Sequence, residues 1–138
     1  MFGNNALVAV EEYDPEKDIW IQKTDMPRPR VSFGLGVVNE KIYVFGGLNQ
    51  QNGWRIEPID IYDPQTDKWA TQEGEMQIPR AFPTSAVLNG KIYILGGAQA
   101  NNQPLKVVES YDINAKEPQS VSPAGKLSTT WGEIKTAN

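Results

Sequence analysis

Lys41-Ile42-Tyr43-Val44-Phe45-Gly46-Gly47 comes back fifty residues later as Lys91-Ile92-Tyr93-Ile94-Leu95-Gly96-Gly97. Each copy is a short run of β-branched, aliphatic and aromatic residues that stops at a glycine pair. Such a run reads as a buried strand entering a loop whose backbone needs positive φ or close approach to a neighbour. A fixed period of 20 to 50 residues marks a repeat architecture.

Working outward, every neighbouring segment repeats in step. Tyr13, Tyr62 and Tyr111 fall 49 residues apart, and so do Trp20 and Trp69. Glu11, Asp60 and Glu109 each stand two residues before the tyrosine. Met26 and Pro29-Arg30 return as Met76 and Pro79-Arg80. Asp14-Pro15 and Asp63-Pro64 read as turns, because Asp bonds its own backbone and Pro presets φ. Asn89-Gly90 is a hairpin signal of the type that requires positive φ at both central residues; Asn39-Glu40 occupies the same place one period earlier.

Each period therefore holds four short antiparallel strands, termed a to d: a from Arg30 or Arg80, b ending in Gly-Gly, c ending in Tyr-Asp, and d carrying Trp. The expected fold is all-β, with four-stranded blades of a β-propeller, about two and a half of them. Residues 1–25 supply strands c and d of a first blade, 26–75 a full second blade, and 76–113 strands a to c of a third. Residues 114–138 form a C-terminal extension or an altered outer strand, since Pro118 stands where the third tryptophan is due. Met1-Phe2-Gly3 reads as the end of an earlier b strand. Gly34 and Gly36 keep strand a small where inner strands crowd an axis; Trp20 and Trp69 are expected in the core, filling the wide outer gap between blades. Closed propellers have about four to eight blades. The expectation is a fragment of a longer protein or a protomer that closes its ring by self-association.

The composition of the 138 residues excludes whole classes of chemistry. There is no Cys and no His, which removes thiol nucleophiles, disulfides, imidazole bases and Cys/His metal centres. No cofactor is expected. A net charge of −4 supplies no basic stripe for phosphates and argues against nucleic acid as a partner. No apolar run reaches membrane-spanning length, and Met1 to Val10 lacks the pattern of a signal peptide. The compartment stays open, because lack of cysteine is uninformative about it.

The joint pattern of an apolar run into Gly-Gly, acid-x-Tyr-Asp-Pro, Trp and Met-Pro-x-x-Arg resembles the kelch repeat family over residues 1 to about 113. The third unit departs slightly, with Met76-Gln77 in place of Met26-Pro27 and Ile113 in place of the proline after Tyr111-Asp112. The tail from Lys126 to Lys135 is similar to a C-terminal segment of some bacterial propeller-like proteins. The resemblance implies a module that binds a protein or peptide through loops at the channel mouth. It also implies two alternatives: part of a kelch-type enzyme such as a sialic-acid epimerase, or a structural repeat of a larger extracellular protein. A copper-radical oxidase site needs Cys and His, which this stretch cannot supply.

Strand direction puts the d-to-a and b-to-c connections at one end of each blade. That end carries the candidate ligand-binding residues Arg30, Arg80, Trp54 and Arg55. In kelch adaptors that bind acidic peptides, arginine at the matching position contacts the ligand, which implies an acidic partner. The structural alternative pairs each arginine with a nearby acid and holds successive blades together. Glu11, Asp60 and Glu109 are expected to accept hydrogen bonds from loop backbone. Gly46, Gly47, Gly96 and Gly97, with Tyr13, Tyr62, Tyr111, Trp20 and Trp69, are read as structural motif positions. Asp14/Asp18 and Asp63/Asp67 lack the Gly and Glu of a calcium loop and fit Asp-Pro turns.

Overall fold

The computed structural model describes residues 7–49, 53, 55–72 and 76–113. Trp54, the Met1-Phe2-Gly3 segment and the tail after Ile113 lie outside the described residues. Nine strands of five residues follow one another: β1 (Val10–Asp14), β2 (Ile19–Lys23), β3 (Gly34–Val38), β4 (Lys41–Phe45), β5 (Ile59–Asp63), β6 (Lys68–Gln72), β7 (Thr84–Leu88), β8 (Lys91–Leu95) and β9 (Val108–Asp112). They form antiparallel sheets in the orders β1-β2, β3-β4-β5-β6 and β7-β8-β9, which do not close into a ring among the described residues. The fold is all-β, with sheets of the kind a partial propeller contains. No helix among the described residues is long and apolar enough to cross a membrane.

The turns follow from local chemistry. Asn39 and Glu40 have φ of 48° and 60°, and Asn89 and Gly90 51° and 73°, so both a-to-b hairpins use the mirror-image turn whose twist matches the strands. At the c-to-d turns the Oδ1 of Asp14 accepts from the backbone of Glu16 and Lys17, and that of Asp63 from Gln65. Asp18 and Asp67, at φ of 53° and 52°, then receive the hydroxyl hydrogen bonds of Tyr13 (2.7 Å) and Tyr62 (2.6 Å). Among the described residues no group of three or more acidic side chains gathers as a metal site would require.

Strand a starts later than its apolar run does. Val31 and Ala81 make isolated bridges to Leu48 and Ala98, and Ser32 and Phe82 take positive φ of 55° and 56°. The chain thus kinks once before regular pairing begins at Gly34 and Thr84.

The core lies between the four-stranded and three-stranded sheets. Val38, Tyr43, Phe45, Ile59 and Met76 meet Ile92 and Ile94, with Ile61, Tyr111 and Ile113 packed round them. Tyr111 sits edge-on to Phe45, with ring centres 6.1 Å apart, and tilted against Tyr43 at 5.9 Å. A Cβ on Gly36 would come within 2.9 Å of Ile92 Cγ2, so the missing side chain lets the sheets approach. Trp69 is half-buried, packs on Tyr62 with ring centres 4.9 Å apart, and donates its indole N–H to Thr24 O of the preceding unit at 2.9 Å. Trp20 departs from expectation: it packs on Tyr13 but is 67% exposed.

Candidate functional site

The connections at the Gly-Gly end of the sheets form one continuous layer. In the second unit Val31 and Leu48 exchange backbone hydrogen bonds of 3.1 and 3.0 Å; in the third, Ala81 and Ala98 do so at 3.0 and 2.8 Å. Each b-to-c loop is then folded back on itself through Ile56 N to Gly47 O (3.0 Å) and Leu105 N to Gly97 O (2.8 Å). Gly46 and Gly47, at φ of 59° and 89°, turn the backbone so that Gly47 N–H donates to Arg80 O of the next unit at 2.8 Å. A Cβ at Gly46 would stand 2.4 Å from that same carbonyl. The glycine pair is therefore a joint between units as well as the end of a strand.

Arg30 and Arg80 are buried beneath this layer. The Nη1 of Arg30 donates to Gly46 O (3.1 Å), and its Nη2 pairs with the buried Asp60 carboxylate. Arg28 Nε joins the same carboxylate at 3.2 Å, and Thr71 Oγ1 donates to its other oxygen at 2.6 Å. Arg80 repeats the arrangement: Nη1 to Gly96 O at 3.1 Å, Nε to Ile78 O at 3.0 Å, and Nη2 paired with Glu109 at 2.8 Å. Burial pulls the Arg30 guanidinium down to about 10, against the attraction of Asp60, and pulls Arg80 down against that of Glu109. Each pair closes inside one unit, from strand a to strand c; the bonds that cross between units here are backbone ones. Asp60 takes guanidinium and hydroxyl donors, where loop backbone was the expected partner, because the loop amides are already engaged with carbonyls. Glu11, its counterpart in the first unit, is exposed.

Arg55 does cross between units. Its Nε donates to Ala98 O (3.2 Å), and its Nη2 donates to Gln99 O and Asn102 Oδ1 (both 2.9 Å). It ties the second b-to-c loop to the third. Beside it opens a groove of about 690 Å³ lined by Gly53, Arg55, Gln77, Ile78, Pro79, Gln99, Ala100 and Asn101. Its walls are primary amides, which donate and accept, set against the apolar Ile78 and Pro79.

Of the four candidate residues, Arg55 lines the groove, Arg30 and Arg80 lie under the loops, and Trp54 is not described. Gln77 and Phe82, the latter 63% exposed just after the Ala81 bridge, were not singled out from sequence. The available signal was contrast between repeats: Phe82 stands where the second unit has Ser32, and Gln77 where it has Pro27.

Residues 29–72 and 79–117 match the kelch motif. Beta-scruin of Limulus polyphemus is 38% identical over 119 residues, covering 79% of this chain and 13% of the relative. Kelch-like protein 15 of Danio rerio is 36% identical over 72 residues, 52% of this chain and 12% of the relative. Kelch-like ECH-associated protein 1A of the same species is 30% identical over 102 residues, 72% and 17%. The chain spans under a fifth of the length of each of these relatives. With the motif matched over more than half of its residues, and with repeats that fold into successive antiparallel sheets, this chain belongs to the kelch family.

Proposed function

We propose that this chain is a non-enzymatic, protein-binding kelch segment that takes a peptide or protein loop on the layer of b-to-c and d-to-a connections. The observation that carries the reading is the groove beside Arg55, held by a backbone lattice and lined, apart from Pro79, by residues that differ from repeat to repeat. Loops on a stiff scaffold are where recognition usually resides. Support also comes from relatives named as kelch-like proteins and scruins, one of them for an association with ECH.

The ligand in this reading is an uncharged, extended segment. Arg30 and Arg80 are engaged with Asp60 and Glu109, and Arg55 with three acceptors of the neighbouring loop. What the groove offers is amide hydrogen bonding beside Ile78 and Pro79, which suits polypeptide backbone and carboxamide side chains. Arg30 and Arg80 act as supports that fix the loop carbonyls, Arg55 as the clamp between loops, and Trp54 as a recognition residue of the same loop. The test is selection from a random-peptide phage library, then affinities against variants. Gln99→Ala, Asn101→Ala and Trp54→Ala each weaken binding about tenfold, the scale of an interface anchor, whereas Gln65→Ala at the opposite end does not. Peptides that ignore the first three and depend on the opposite-end turns would overturn the reading.

A further inference from the structure

The internal junction between the two larger sheets has two different faces. One is the β3–β4 face carrying Gly36, Val38, Tyr43 and Phe45, with Val38 8% and Phe45 0% exposed. The other is the β8–β9 face carrying Ile92, Ile94 and Tyr111, with Ile92 0% exposed. Because the sequence repeats, each sheet also owns the face that the other uses. The three-stranded sheet has Ala86, Leu88, Tyr93 and Leu95 where the four-stranded one has Gly36, Val38, Tyr43 and Phe45. There Leu88 is 59% and Leu95 37% exposed. On its other side the four-stranded sheet shows Leu35 and Val37, both exposed, and the half-buried Ile42, the counterpart of Ile92.

We propose that a second copy of this chain docks head to tail across these faces, the Leu35–Val37–Ile42 side of one copy covering the Ala86–Leu88–Leu95 side of another. The occupant follows from continuity with the junction already present in each chain: the same pair of faces meets there, and Ile42 is identical to the residue that seats on Gly36. The charges on the Leu88 face, Lys91 opposite Leu88 and Asp112 opposite Lys91, are already paired with each other at 3.1 Å, so docking there buries no ionised group without a partner. The interface is heterologous, since the two surfaces differ. Ala86 carries the Cβ that Gly36 lacks, and at Gly36 a Cβ would meet Ile92 at 2.9 Å. The intermolecular junction is therefore spaced wider, and is weaker, than the internal one. The loop layer lies at the ends of the strands and stays open in this arrangement, so the inference does not rest on the ligand-binding reading.

Sedimentation velocity of the 138-residue chain over a range of concentrations tests it. The expected result is a mass that rises from one chain to two or more, and Ala86→Gly shifts that rise to lower concentration. Ala86→Arg and Val37→Glu, both at exposed positions, each remain monomeric alone. Mixed one to one they form a dimer and nothing larger, because each contributes the face the other lacks. Thermal melts confirm that both variants fold, and Leu88→Lys replaces Ala86→Arg if it does not. A wild-type chain that stays monomeric throughout overturns the proposal and leaves the faces to blades of another polypeptide. Variants that assemble like wild type, or a mixture that stays monomeric, overturn it as well.

Discussion

Buried arginines that sit on carbonyls and a single acid behave as structural keystones, and their removal is costly in a specific way. Arg30→Ala leaves the Asp60 carboxylate buried with Arg28 as its remaining cation. A loss of about 2–4 kcal/mol in denaturant unfolding is expected, because the buried carboxylate loses its fully buried partner and keeps only the partly exposed Arg28; a loss below 1 kcal/mol would contradict the burial described. The glycines make a sharper comparison. Gly46 and Gly53 both have positive φ, 59° and 72°, but an added Cβ meets Arg80 O at 2.4 Å in the first case and open space in the second. Gly53→Ala should cost about 1 kcal/mol, the left-handed backbone penalty alone, and Gly46→Ala clearly more. Equal losses in matched melts would mean that the joint to Arg80 is absent. Acid acts at this scale too. The Lys17 ammonium holds the Asp14 carboxyl below its usual 3.8, Lys41 does so for Asp63, and the Tyr62 hydroxyl does so for Asp67. Their contribution is complete above the unfolded value of 3.8 and fades as pH falls through the lower folded values. The melting temperature should drop below about pH 4, and less steeply in Asp67→Asn; a profile flat to pH 2 would contradict it.

At the level of strands, the c-to-d corner is the unit's recurring device. Tyr62 donates to Asp67, and Asp67 accepts in turn from Thr24 N–H of the preceding unit at 2.9 Å. Burial first, then that hydrogen bond, pushes the Tyr62 hydroxyl up to about 12. The folded state therefore keeps a proton that the unfolded chain loses near 10, and stability is lost as pH climbs between those values. Tyr13 and Tyr43 are also raised, so alkaline absorbance titration should show a late-ionising phase, and Tyr62→Phe should reduce its amplitude by the share of one tyrosine. These strands and corners were legible because short-range chemistry dictates them: Asp-Pro, Asn-Gly and Gly-Gly each allow few backbone shapes. The start of strand a was not legible, since Val31 is as apolar as any strand residue and only its bridge to Leu48 holds it out of the sheet. Nor was the environment of Trp20, which depends on a neighbour and not on its own motif. The groove was half legible. Arg55 stood out as a charge in a loop, but its neighbours come from segments more than 20 residues away, and only the fold brings Gln77 and Gln99 beside it.

Across the whole molecule, successive sheets stack face to face, so that repetition in sequence becomes repetition in space. That stacking buries Phe45 and Ile92, lays the loop layer out as one surface, and leaves matching apolar faces at either side. The direct measurement is a methyl-resolved NOESY spectrum of an isoleucine-labelled sample. It should contain a cross-peak between the Ile92 methyl groups and the Hα protons of Gly36, 56 residues apart in sequence and in contact across the junction. Ile92 methyls that contact only β7, β8 and β9 would mean that the sheets do not stack, and the account would fail with them.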